Sequence, residues 1–135
     1  MTTHPINIRI YYEHTDAGGV VYHANYLKFG EQGRTELLRF LGFENTSLRE
    51  QHGILFVVRH IAADYIKTAH LDDLLRIETS IVQMKNASLI MKQSAFRGDE
   101  MIFTMDVTLV CVDSEKYRPV SLPPPVREKF KNYMN

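Results

Sequence analysis

From Ile6 to Tyr12 apolar and polar residues alternate, with Ile6, Ile8, Ile10 and Tyr12 on one face and Asn7 and Arg9 on the other. That period of two predicts a strand. A turn signal follows in Thr15-Asp16-Ala17-Gly18-Gly19. Past Val20-Val21-Tyr22-His23 the period lengthens, and Tyr26, Phe29, Gly33, Leu37 and Leu41 recur at helical spacing until Gly42 supplies a C-terminal stop. This is the one long helix. Gly30 and Gly33 inside it each cost about 1 kcal/mol relative to alanine. Spaced by three, they share a face, and that face is expected to lie close against a sheet. Ser47-x-x-Glu50 reads as a capping box ahead of a short helical turn that Gly53 ends.

From Ile54 onward the chain is rich in β-branched and aromatic residues, and it predicts strands over Ile54 to Thr68, Leu74 to Met84, Ser88 to Arg97 and Met101 to Asp113. Short breaks at Lys85-Asn86 and Gly98-Asp99 make the last three an antiparallel meander. The sum is an α+β domain in which one curved antiparallel sheet of about five strands packs on one central helix. Such a sheet has an open edge, and pairing it with a second copy predicts at least a dimer. Four of the five prolines, Pro119, Pro123, Pro124 and Pro125, mark a proline-rich tail from about residue 118. The core is expected to close before it, within a single domain over residues 1–135.

Length and charge narrow the function. A chain of 135 residues, 44% hydrophobic and 24% charged, buries a core without metal or disulfide staples. Sixteen basic residues balance sixteen acidic ones. Zero net charge gives no broad positive field for nucleic acid and no polybasic attraction to a membrane. Any anionic partner must be held locally. The lone Cys111 cannot form an internal disulfide, which fits a reducing cytoplasm. The opening MTTHPINIRIYY lacks the pattern of a signal peptide, and no apolar window is long enough to span a bilayer, so neither is expected.

Candidate chemistry concentrates between Tyr11 and Tyr26, where a strand end passes through glycines into a helix start. Glycine lets backbone approach a ligand, and the first helical turn offers free N–H groups with partial positive charge. That combination stabilises the oxyanion of acyl transfer, and Asp16 beside it can attack a carbonyl or take a proton from water. The same residues also spell a structural turn capped by aspartate. His23 reads equally as a site residue or as a helix-start histidine bonded to neighbouring backbone. Tyr12 reads as core surface or as a pocket hydroxyl, and Glu31 and Arg34 as a helical ion pair. His14, Asp16 and His70 have the composition of a two-histidine, one-carboxylate iron site, but the segment runs into a helix and His70 sits in a turn. No spacing supports zinc, no Gly-x-Ser-x-Gly or phosphate loop is present, and Cys111 lies on an apolar strand face that disfavours a thiolate.

The run Arg9-Ile10-Tyr11-Tyr12-Glu13, then Thr15 through Leu27, then Glu31, Arg34, Thr35 and Glu36 resembles the YbgC-type acyl-CoA thioesterases of the hotdog-fold 4-hydroxybenzoyl-CoA thioesterase group. Phe56-Val57-Val58-Arg59, Leu71-Asp72-Asp73, Val110-Cys111-Val112-Asp113, Arg118-Pro119 and Leu122-Pro123 extend the similarity over nearly the whole chain. The resemblance implies a hotdog fold, a homodimer or homotetramer with active sites between protomers, and hydrolysis of acyl-CoA to free acid and CoA with no metal or other cofactor. It implies Asp16 as catalytic carboxylate, with Tyr12 and His23 beside it and the His23 amide polarising the thioester carbonyl. Substrate contacts are then expected at Gly18, Gly19, Val20, Tyr26 and Glu31, and Arg59 is either a CoA phosphate contact or solvated surface. His14, and Gly33 within Glu31-Gln32-Gly33-Arg34, depart from the usual pattern. The resemblance also implies a link to the Tol-Pal envelope system and phospholipid metabolism, beside the cytoplasmic location that the lone cysteine fits. Two other readings stay open: a non-catalytic module that binds acyl-CoA or an acyl carrier protein, and a hotdog dehydratase.

Overall fold

The computed structural model describes residues 2–134. A strand, β1 (His4–Arg9), leads through a 3-10 turn at Tyr12–His14 to the long helix α1 (Asn25–Phe40) and the short helix α2 (Asn45–His52). Four strands follow, β2 (Ile54–Tyr65), β3 (Leu74–Met84), β4 (Ser88–Arg97) and β5 (Glu100–Asp113), and then a third helix, α3 (Pro124–Met134). The strands form one antiparallel sheet in the order β1-β3-β4-β5-β2. Register shifts at Val58/His60 in β2, Ile81/Gln83 in β3 and Ala95/Phe96 in β4 bend it around α1. The fold is the hotdog.

Helix α1 lies on the sheet through the two glycines. A Cβ built on Gly33 would stand 2.9 Å from Thr79 Oγ1 and 3.0 Å from Gln93 Nε2, and one on Gly30 would collide with the end of Met105. The close approach read from their spacing is therefore present. Leu37, Phe29 and Tyr26 bury the rest of this face against Ile77, Met91, Met105 and Val107. Gly42 ends the helix with φ +96° and Gly53 ends α2 with φ +64°, conformations that favour glycine.

Three expectations are corrected. The chain does not finish packing before residue 118: Leu122, Val126 and Phe130 are buried, and Phe130 stacks on Phe56 at 6.1 Å. Prolines break helices in their interior but suit the first turn, so Pro124 and Pro125 start α3 instead of preventing it. The capping box of α2 sits three residues earlier, with the Ser47 hydroxyl accepting the Glu44 amide at 2.9 Å. The first strand stops at Arg9, because a 3-10 turn (His14 N–H to Tyr11 O, 3.0 Å) breaks the alternation. Tyr12 is consequently 80% exposed rather than part of the core. Cys111 is buried, which pushes its thiol up to about 11 and leaves it a core residue.

Candidate active site

The segment from Tyr11 to Ala24 is folded by its own backbone. Asp16 donates its amide to Val20 O (2.9 Å) and receives the Gly19 amide on its carbonyl (3.0 Å). Its side-chain Oδ1 accepts the Gly18 amide at 2.8 Å, closing an Asx turn. Gly19 takes φ +83°, and a Cβ on Gly18 would stand 3.2 Å from Asp16 Oδ1, crowding the carboxylate. The amides of Gly18 and Gly19 are thus spent on Asp16. They leave one carboxylate oxygen pinned. The other, Oδ2, has no protein partner among the described residues, and Asp16 is exposed.

The helix start opens beside this turn. Tyr22 donates its amide to His14 O (2.9 Å), and Asn25 donates its own amide to Tyr22 O (2.9 Å). Among the described residues no acceptor meets the amides of His23 and Ala24, as the first turn of a helix requires unless something else supplies one. Two side chains fix the position of these amides. Asn25, buried, donates Nδ2 to His14 O at 2.8 Å, and the Tyr65 hydroxyl at the end of β2 donates to His23 O at 2.8 Å. Neither stood out in the sequence. A polar residue where the helix pattern wants an apolar one was the available signal for Asn25, whereas Tyr65 is distant in sequence and gave none.

The remaining candidates divide. Tyr12, Gly18, Gly19, Val20 and His23 belong to this one loop, and Val20 is bridged to His70. Tyr26 lies beneath it, only 4% exposed, stacked on Phe103 at 4.9 Å, and burial raises its hydroxyl pKa so that it stays neutral. Phe29, Tyr65 and Phe103 surround its ring. Glu31 and Arg59 lie elsewhere. Glu31 lines an open cavity of about 700 Å³ with Arg34, Leu38, Phe56, Met91 and Phe130. Glu31 makes no ion pair with Arg34, which instead donates Nη1 to Gln93 Oε1 at 2.9 Å. Burial lowers the Arg34 pKa, a trend the neighbouring Glu31 opposes. Arg59 is exposed at the β2 bulge. The cavity touches β2 near Phe56 and the loop touches it at Tyr65, while Glu31 lies six residues, about 9 Å, along α1 from its first residue.

Among the described residues no cluster of three His, Cys, Asp or Glu side chains offers a metal site. The His14 Nδ1 already accepts the Tyr11 amide at 2.9 Å. Among the described residues no helix is long and apolar enough to cross a membrane.

Against known proteins, residues 11–130 match the profile of the Thioesterase-like superfamily. The acyl-CoA thioesterase YbgC of Haemophilus influenzae is 46% identical over 123 residues, covering 91% of this chain and 90% of the relative. The acyl-CoA thioester hydrolase YbgC of Escherichia coli is 42% identical, covering 92% of each. A crystal structure of a probable thioesterase from Bartonella henselae superposes with a TM-score of 0.86 at 39% identity, over 90% of this chain and 99% of that one.

Proposed function

The chain belongs to the thioesterase-like superfamily as an acyl-CoA thioesterase of hotdog fold, and on that premise we propose that Asp16 carries the hydrolysis, with the His23 amide binding the thioester oxygen. The observation that carries this reading is the pairing of a pinned but half-free carboxylate with helix-start amides that lack acceptors. The two arise from one turn. The amides and the partial positive end of α1 stabilise negative charge on the carbonyl oxygen as the carbon becomes tetrahedral. Asp16 Oδ2 then acts in one of two ways. Attack on the carbonyl carbon expels the CoA thiolate and leaves a mixed anhydride, which water opens to the free acid. Alternatively Oδ2 takes a proton from water, whose oxygen attacks, and the thiolate leaves with that proton.

The exposed apolar residues Val57, Val58, Tyr65 and Ile66 on and just beyond the edge strand β2 support a homodimer paired along that edge. A twofold axis through the middle of β2 would bring the Asp16 loop of one copy toward the Glu31 cavity of the other. The acyl group then enters that cavity, and Arg59 meets CoA phosphates at the same seam. Neither half of the site is complete alone.

Purified protein is expected to release thiol from acyl-CoA. Asp16→Asn should lose about 10²–10⁴-fold in kcat with an unchanged melting temperature. Normal turnover by that variant would remove Asp16 from the reaction. Label in the Asp16 side chain after a single turnover in ¹⁸O-labelled water establishes the anhydride route, opened by water at the Asp16 carboxyl carbon.

A further inference from the structure

Apart from its join to β1 and the Tyr65 hydroxyl on His23 O, the loop that carries Asp16 is not held by the sheet directly. Both of its feet rest on one turn, residues 68–73, between β2 and β3. On the incoming side, Ile10 donates its amide to Asp73 O (2.8 Å) and accepts the Asp72 amide (3.0 Å). On the outgoing side, Val21 donates its amide to Ala69 O (2.9 Å), and Val20 is bridged to His70. Ala69 is fully buried between them. Any shift of this turn moves the whole span from Ile10 to Val21, and Asp16 with it.

Two side chains hold the turn from outside: Arg9 of β1, whose Nη1 donates to Asp72 O (2.8 Å), and one from the far hairpin. Arg97, at the end of β4, donates Nη1 both to Thr68 O (3.0 Å) and to Asp73 Oδ2 (2.9 Å), and Nη2 to Glu100 Oε1 (2.9 Å). Asp73 Oδ2 also accepts the His70 amide (2.9 Å), so one carboxylate oxygen closes the turn while the guanidinium clamps it. Lys67 pairs with Glu100 from the other side. A lone exposed ion pair contributes little to stability, but a planar fork with three fixed acceptors specifies position. The side chains involved are one-quarter to one-half exposed, so their energetic weight is small. Their geometric weight is not.

We propose that Arg97, acting through Asp73 and the 68–73 turn, is a positioning residue that holds Asp16 against the helix-start amides. This rests on the reading of Asp16 and the His23 amide as the reacting groups. Productive geometry is steep in distance, and a displacement of about 1 Å is worth up to about 10²-fold in rate.

The test measures acyl-CoA turnover and amide exchange in full-length Arg97→Met, Arg97→Lys and Asp16→Asn proteins. Arg97→Met is expected to lose about 10- to 100-fold in kcat with KM held within about twofold. Exchange at the Val21 amide should accelerate while the Val107 amide in the sheet keeps its protection. Arg97→Lys, a point charge without the fork, should fall between wild type and Arg97→Met in both readouts. Should Arg97→Met not fold, Asp73→Asn, which keeps the shape and removes the charge, carries the same expectations. The proposal is overturned by an unchanged kcat, by a lost kcat with unaltered Val21 exchange, or by exchange that rises equally at Val107. If Asp16→Asn turns over normally, the catalytic reading itself falls and this inference with it. If Asp16→Asn is inactive while Arg97→Met is normal, only the positioning role falls.

Discussion

The two ends of helix α1 are built by different physics. Its middle and C-terminal half are held by volume: Leu37 is fully buried, the two glycines let the backbone sit on β3 and β4, and Phe130 closes the far side. Its N-terminal end is held by hydrogen bonds, to His14 O from Tyr22 and Asn25 and to His23 O from Tyr65, around an exposed carboxylate. Packing tolerates small errors in direction and punishes errors in size. Hydrogen bonding does the reverse, which suits the end where, in the proposed reaction, an amide and a carboxylate face one reacting carbon.

That contrast can be broken most forcefully from the packed half. Leu37→Ala should cost about 2–5 kcal/mol by leaving a cavity, seen as a large drop in denaturation midpoint. Turnover per folded molecule should stay near wild type, because Leu37 touches neither the loop nor the cavity. A loss of kcat at full folding would mean that the two ends are not separable. Gly19→Ala probes the other end. Nothing lies within 4 Å of the added Cβ, so the cost comes only from φ +83° and should be about 1–2 kcal/mol. Its effect on kcat should exceed that of Leu37→Ala, since Gly19 helps close the turn around Asp16. Equal kcat values for the two variants would contradict the division.

The smallest expected effect is on pH dependence. Burial pushes the Asp73 carboxyl upward, but the His70 amide and the Arg97 guanidinium outweigh it and hold the pKa below the ordinary aspartate value. A group whose folded pKa is lowered adds stability above its unfolded pKa, and that stability disappears as pH falls through the folded value. Melting temperature should therefore decline on acidification below the ordinary aspartate range, and less steeply in Arg97→Met than in wild type. Parallel slopes would show that the network does not bind Asp73 in the folded state.

The helix, the meander and the close-packed glycines were legible because each is written in local periodicity. Leu74–Met84 and Ser88–Arg97 were read with the bounds they have in the fold. Helix α3 was hidden by its prolines, although Val126 and Phe130, four apart, carried the helical signal behind them. At the site, Asp16 and the helix start could be read together because they are seven residues apart. What could not be read was how the turn spends its donors: residue types do not tell whether Gly18 N–H faces a ligand or an aspartate two residues back. The placing of Tyr65 at the helix start was also illegible. It follows from β2 lying beside β5 at the sheet's edge, a pairing between distant segments that no local period encodes.

Gln93 ties these regions together. Only 1% exposed, its side chain donates to Gly30 O and Thr79 Oγ1 and accepts from Arg34. Sliding α1 along its axis, even by one turn of about 5.4 Å, would strand that amide in the core without partners. The helix therefore has one longitudinal setting. Residues lining the cavity can be exchanged for larger or smaller ones, which on the proposed reading retunes the acyl groups that fit, while the amide end of the rod stays where it is.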